Sequence, residues 1–363
     1  MSLRSARSSC CQSSPFFTLR RNVLPEEARD VNGPTNGVSG GSRWYRRYGL
    51  NILSDVVPFG LPLRAESPGD VDLFVHWDVR TLMPMMSPPE GEIMASRSGP
   101  GGSRLYTLVR TRGGYVLRLH GLADFAIDNT ASHIVCNLGP DGEAEWAQAL
   151  LSTLVLAFVL SLRGRFVLHA SAVVSDGRAV AIAGRPNSGK TSLAALLCAG
   201  GASLFADDFV SFGADWRAIG TGPGPELRLR PATAAILTLF PPHVRSHPTC
   251  DGRIAFTPPS YFETPTTLSC LVLPERGGEG KSMRAEYLRG AQAVRALASA
   301  ARITGWVDPD QQRRFFEGIV GLAARTPILR LMVPWGTPFS PLYPEQLFEA
   351  IDRAGGPAQQ ALR

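Results

Sequence analysis

The segment Gly184-Arg185-Pro186-Asn187-Ser188-Gly189-Lys190-Thr191 has the spacing G-x-x-x-x-G-K-[ST] of a phosphate-binding loop. Glycines let backbone N–H groups converge on an anion, and a helix that starts at the loop adds the positive end of its dipole. Lys190 supplies an ammonium for the terminal phosphates. The Thr191 hydroxyl can ligate Mg²⁺, and Ser192 follows it at the helix start. The lysine is out of character for this chain: Lys and Arg together number 37, yet only Lys190 and Lys281 are lysines. An ammonium thus stands where phosphate chemistry uses one, in a protein that otherwise draws its positive charge from arginine.

Such a loop needs carboxylates for the metal and for the attacking group. Asp207-Asp208 follows the apolar run Ala202 to Ala206 and begins 17 residues after Lys190. Adjacent carboxylates at the end of a strand can point one toward Mg²⁺ and one toward a substrate hydroxyl. His169 lies inside the apolar stretch Leu168-His169-Ala170-Ser171-Ala172, 15 residues before Gly184. It is either a satisfied core histidine or a residue that reaches the phosphate pocket, because its strand should pair with the one feeding the loop. Asp72, Asp78 and Asp124 are isolated acids expected to be solvated.

The elements that must position these groups are legible around them. Glu143 to Leu162 reads as a helix with a broad apolar face. Phe166 to Val174 is expected as one buried strand, Ser175-Asp176-Gly177 as a turn, and Ala179 to Ala183 as the strand feeding the loop. Lys190 to Ala199 is helical and Gly200-Gly201 ends it. Ala202 to Ala206 and Thr267 to Leu273 read as strands, as does Ile328 to Val333. Pro231 to Phe240, Gln292 to Ala301, Gln311 to Ala324 and Pro344 to Ala354 read as helices, and the proline-rich His243 to Pro265 as a long loop.

Upstream, short apolar runs alternate with turn signals. Leu50 to Leu53, Val71 to Val75, Leu105 to Val109, Tyr115 to Leu119, Phe125 to Ile127 and His133 to Val135 are strand-like, and Gly113-Gly114 marks a hairpin. The expected organisation is a disordered leader over 1–42, a β-rich N-terminal domain over 43–142, a P-loop domain over 143–336, and a C-terminal helix and tail over 337–363. Arg4, Arg7, Arg20 and Arg21, with no acid before Glu26, give the leader the composition of a transit peptide and equally of a plain disordered segment.

Composition narrows the function classes. The chain has 363 residues, 44% of them apolar and 19% charged, with a formal net charge of +6. That allows a sizeable core. The arginines are scattered, without a basic stripe interleaved with aromatics, so nucleic acid is not an expected partner. Ala149 to Leu162 is the most apolar run but is short of the roughly twenty residues of a membrane helix, so a buried core helix and no membrane are expected. The six cysteines include no C-x-x-C pair; Cys136, Cys198 and Cys270 are expected as buried thiols in a reducing, cytoplasmic setting.

The ordered set of histidine strand, glycine loop and Leu204-Phe205-Ala206-Asp207-Asp208 resembles the catalytic domain of the bacterial HPr kinase/phosphorylase family. It is closer to the divergent HPr kinase-related proteins, some of which are lasso-peptide kinases. The resemblance implies an α/β fold whose P-loop domain is of the HPr kinase and phosphoenolpyruvate-carboxykinase-like type, with ATP and Mg²⁺. It implies that His169 lies by the transferred group, and that one aspartate is the base toward a serine hydroxyl; the assignment favoured is Asp207 as base and Asp208 at the metal. Glu226-Leu227-Arg228 stands where the family carries Glu-Ile-Arg-Gly-Leu-Gly, which implies metal assistance by Glu226, but Leu229-Arg230-Pro231 replaces the glycines. Arg228 and Arg230 alternate along an extended run and are expected on opposite faces, Arg228 toward phosphate. The family also implies a homo-oligomer.

These readings converge on an ATP-dependent kinase acting on a hydroxyl, a serine of a peptide or small protein. The alternatives are a nucleotide-binding accessory or sensor module that transfers nothing, and a small-molecule kinase.

Overall fold

The computed structural model describes residues 42–55, 69–78, 89–277, 283–334, 339 and 342–361. These all belong to one compact unit, Val38–Arg363. The leader (Ser42 apart), Cys10, Cys11 and Lys281 lie outside the described residues.

Eight strands form the first sheet: β1 (Arg43–Arg47), β2 (Leu50–Ser54), β3 (Leu73–Asp78), β4 (Glu92–Ser98), β5 (Arg104–Thr111), β6 (Gly114–Leu119), β7 (Ala123–Asp128) and β8 (His133–Leu138). Their spatial order is β1-β2-β3-β8-β7-β6-β5-β4. The six strand-like runs read from sequence all fall in this sheet, and the Gly113-Gly114 turn joins β5 to β6 with Thr111 opposite Gly114. β1 and β4 carry too many polar residues to stand out as apolar runs. One expectation fails here. Asp124 is buried, because it lies across the β6–β7 ladder from Arg118. The guanidinium donates to both carboxylate oxygens, at 2.8 and 2.6 Å.

The helical span Ala144–Leu162 packs under this sheet. It consists of α1 (Ala144–Leu150), a π turn (Leu151–Val155) and α2 (Leu156–Leu162). The helix is longer than its most apolar run, and meets by length and composition the test for a membrane-spanning helix. Leu151 and Val155 through Leu160 are nevertheless buried in one core with Ile52, Leu73, Leu117 and Phe125 of the sheet.

The second half is built on a six-stranded sheet in the order β12-β10-β11-β18-β20-β19. It comprises β10 (Ala170–Ser175), β11 (Arg178–Ala183), β12 (Ser203–Ala206), β18 (Leu268–Gly277), β19 (Arg284–Leu288) and β20 (Ile328–Pro334). β11, β18 and β20 run parallel, and the others pair antiparallel. Strand periodicity sorts side chains to two faces. Val180 and Ile182 face α3 (Lys190–Ala199) and α6 (Tyr343–Ala361). Ala179, Ala181 and Ala183 face α4 (Gly290–Ala298) and α5 (Pro309–Ala323). The result is a mixed α/β fold with helices on both faces of this sheet.

Two three-stranded sheets flank it. One is β14-β13-β9, from β9 (Phe166–Leu168), β13 (Val210–Phe212) and β14 (Ala218–Ile219). The other is β15-β17-β16, from β15 (Leu227–Leu229), β16 (Ser246–Pro248) and β17 (Ile254–Phe256). Residues 243–265, read as a loop, therefore hold two short strands; their prolines end the strands rather than preventing them. Pro231–Leu239 is helical but of the 3-10 type.

The largest departure concerns the run from Phe166 to Val174, expected as one strand. It is broken at His169, whose N–H donates to the Ala300 carbonyl at 2.8 Å. β9 pairs with β13 in the small sheet, while β10 pairs with β12 in the large one. The segment it pairs with breaks at the same level, between β12 and β13, at Asp207-Asp208-Phe209.

Candidate functional site

The loop between β11 and α3 turns on three residues with positive φ. Gly184 and Gly189 have φ of 142° and 95°, and Asn187 has 69°. A Cβ on Gly184 would approach the Ser188 hydroxyl to 3.0 Å. Ser188 Oγ is itself buried and has no hydrogen-bond partner. Lys190 opens α3 and is buried; its ammonium donates to the carbonyls of Gly184 (3.1 Å) and Arg185 (3.0 Å). Burial lowers its pKa to about 8, against the pull of Asp207 and Asp208.

The paired breaks place three more candidates beside this loop. Asp207 accepts from Ser171 Oγ at 2.5 Å and from Thr191 Oγ1 at 3.0 Å. Asp208 instead forms an ion pair with Arg302, at 2.6 Å. The two carboxyls are driven apart in acidity. Burial raises the pKa of Asp207, and the neighbouring Asp208 charge adds to this. Burial also acts on Asp208 and is the largest single influence, but the charge and hydrogen bond of Arg302 together with His169 and Arg253 outweigh it and hold that carboxyl below its usual range. Asp208 has φ of 72°, in the left-handed region that aspartate enters more readily than most residues. Burial pushes the His169 imidazole down to about 3, so it is neutral at physiological pH.

A cleft of about 1100 Å³ brings these groups together. Pro186, Asn187, Gly189, Lys190, Thr191 and Ser192 line it, as do His169, Asp207, Asp208, Glu226 and Arg228. Gly184, Arg185 and Ser188 complete the loop without lining the cleft. Glu226 does not join Thr191: its carboxylate lies 3.8 Å from His247 and senses Arg47. Arg228 and Arg230 both face the cleft, contrary to the expectation of opposite faces. Residues two apart in an extended strand share a face, and Leu227 and Leu229 occupy the buried one.

Several cleft residues carried no sequence signal. Arg302 sits in the connection between α4 and α5, Arg253 in a turn before β17, and Arg97 in β4 of the eight-stranded sheet. Tyr48, from the turn between β1 and β2, stacks on Phe209 with ring centroids 3.8 Å apart and backs Asp208. None belongs to a motif; the fold alone collects them.

The hard oxygens present fit Mg²⁺. Thr191 Oγ1 and Asp207 Oδ1 are 3.0 Å apart beside the phosphate loop. Among the described residues no cluster of three or more His, Cys, Asp or Glu could hold a metal by itself. That matches the habit of Mg²⁺, which takes one or two carboxylates and completes its shell with phosphate oxygens and water.

No protein-family model and no curated protein matches the chain. Among solved structures, the chain is similar to the Hpr(Ser) kinase/phosphatase from Coxiella burnetii, at 11% identity and a TM-score of 0.28. The match covers 54% of this chain and 93% of that one.

Proposed function

We propose that this protein is a kinase that transfers the γ-phosphate of ATP to a hydroxyl, a serine of a peptide or small protein. The observation that carries the reading is the hydrogen bond between Thr191 and Asp207 at the mouth of a glycine loop headed by a buried lysine. A strand-to-helix turn without nucleotide chemistry has no need of a carboxylate raised in pKa against the first helical hydroxyl.

In this reading the backbone amides of residues 184–191 cradle the phosphates. Thr191 and Asp207 would hold Mg²⁺, which would offset part of the phosphate charge. The hydrogen bond of Thr191 favours this role for Asp207 over the assignment as base read from the family resemblance. Asp208, ionised before transfer, accepts the hydrogen bond of the acceptor hydroxyl and takes its proton as that oxygen bonds the γ-phosphorus and the bond from the γ-phosphorus to the ADP oxygen breaks. Lys190 exchanges two loop carbonyls for phosphate oxygens, and Arg302 and Arg253 add charge as the transition state forms. Catalysis of this kind is mostly positioning and electrostatics. Neutral His169 can donate or accept one hydrogen bond beside Asp208 without adding charge.

The test is phosphate incorporation from γ-labelled Mg-ATP into serine-containing peptides, with Lys190→Ala as the comparison. Loss of at least about a hundredfold in rate is expected. Undiminished incorporation in Lys190→Ala overturns the reading, and nucleotide binding without transfer to any hydroxyl acceptor supports an accessory role instead.

A further inference from the structure

We infer that the acceptor is an acidic peptide segment, read by arginines that the nucleotide leaves unused; this rests on the kinase reading above. Seven arginines and Lys190 line the cleft against four carboxylates, Asp207, Asp208, Glu226 and Asp251. A magnesium-bound nucleoside triphosphate brings on the order of two net negative charges, since the metal offsets part of the phosphate charge. The cleft therefore keeps a positive surplus after its nucleotide is bound.

The surplus sits away from the loop. Lys190, Arg302 and Arg253 act on one another and on His169 and Asp208, and form the inner group. Arg253 is also engaged by Asp251 at 3.0 Å. The guanidinium groups of Arg97, Arg228 and Arg230, by contrast, form no ion pair or hydrogen bond among the described residues. They come from two different sheets. Arg228 and Arg230 come from β15 and the residue after it. Arg97 comes from β4, whose Ser96 bonds to Gly305 at 2.9 Å, three residues beyond Arg302.

Unpaired guanidinium groups lining one cleft repel one another, and the arrangement is relieved by an anion among them. Arginine forks match carboxylates in two-point geometry. Trp146 and Leu150, from α1, add an apolar stretch to the same cleft. The combination fits an extended chain carrying glutamates or aspartates around the serine, with an apolar side chain within reach of Trp146. It does not fit a basic segment.

The test is peptide binding to the full chain loaded with Mg-ADP, followed by fluorescence anisotropy. Three labelled peptides differ only in the residues flanking one serine: glutamate, glutamine or lysine. The glutamate peptide should bind about tenfold more tightly than the glutamine one at low salt, and the lysine peptide least, with the difference shrinking as salt rises. Arg97→Glu and Arg230→Glu should each weaken the glutamate peptide severalfold and leave the glutamine peptide unchanged. Arg97→Gln, which keeps the length of the side chain, covers the case in which charge reversal disturbs β4. Equal affinity for the glutamate and glutamine peptides overturns the inference, as does tighter binding of a single-stranded oligonucleotide than of the glutamate peptide. The two proposals fail separately. Tight binding of the glutamate peptide with no phosphate transfer to it sinks the kinase reading alone. Transfer to glutamate and glutamine peptides at equal kcat/KM sinks acidic recognition alone.

Discussion

Lys190 shows what single residues contribute here, because one burial has two opposite effects. Desolvation lowers its pKa from 10.5 to about 8. In the empty protein its ammonium is therefore lost as pH rises through about 8, and with it the charge that attracts phosphate. Affinity for Mg-ATP should fall across that range, and Lys190→Arg, which keeps its charge, should flatten the profile. Stability runs the other way. The folded pKa lies below the unfolded one, so the unfolded chain binds the extra proton between about pH 8 and 10.5, and the native state gains stability as pH rises through that window. Melting temperature should thus carry a rising component where nucleotide affinity declines, and that component should vanish in Lys190→Ala. A nucleotide affinity flat to pH 10 in the unaltered protein would show that the ammonium is not the group that meets phosphate. This residue and its motif were plain in the sequence, because eight contiguous positions carry them. The arginines around it were not, since Arg97, Arg253 and Arg302 come from three separate elements and share no spacing.

At the scale of elements, the site is made by two strands changing sheet at the same level. α3, the hairpin between β10 and β11 and the strand feeding the loop are local, and their residues announce them: Asp176-Gly177 supplies the positive φ of a tight turn, and Gly201 follows α3 with φ of 95°. The break at His169 is different. Val167, Leu168, Ala170 and Ala172 are buried on both sides of it, so no change of pattern marks the spot. It is set by the Ala300 carbonyl, which takes the His169 N–H from far along the chain. The opposite break, at Asp208, is held by Tyr48, which is fully packed against Phe209 and whose phenol burial raises in pKa. Tyr48→Ala should cost about 3–5 kcal/mol, as for other large aromatic truncations in a core, and should lower kcat as Asp208 loses its backing. Tyr48→Phe keeps the stack on Phe209 and should leave stability and turnover close to native. Chemical denaturation and turnover measured together check this. A Tyr48→Ala protein with native stability and rate would show that the turn between β1 and β2 does not support the site.

For the whole molecule, the boundary drawn by composition at residue 142 and the boundary drawn by packing do not coincide. The span Ala144–Leu162 was assigned to the second half, but its side chains share a core with the eight-stranded sheet, and Val167, Phe209 and Ile303 of the second half join that same core. Further ties cross over: Arg47 donates to the Pro223 carbonyl at 2.5 Å, Tyr106 to the Thr304 carbonyl at 2.5 Å, and Ala95 bridges to Trp306. Gly222 allows the first of these, since a Cβ there would lie 2.5 Å from the Arg46 carbonyl. Composition could not reveal this, because helix and sheet are each apolar without saying which partner they cover. The consequence is that the phosphate loop does not stand alone. A chain beginning at residue 143 would expose Leu151, Val155, Leu156 and Phe158, each worth about 1.5–3 kcal/mol when buried. It would also strip the support from Phe209 and hence from Asp208. Such a chain should be aggregation-prone and should bind Mg-ATP at least about tenfold more weakly than the full chain, which should itself unfold in one cooperative transition followed by both circular dichroism and tryptophan fluorescence. A monomeric 143–363 chain with native nucleotide affinity, or two separate transitions in the full chain, would show that the eight-stranded sheet is an appendage rather than a wall of the site.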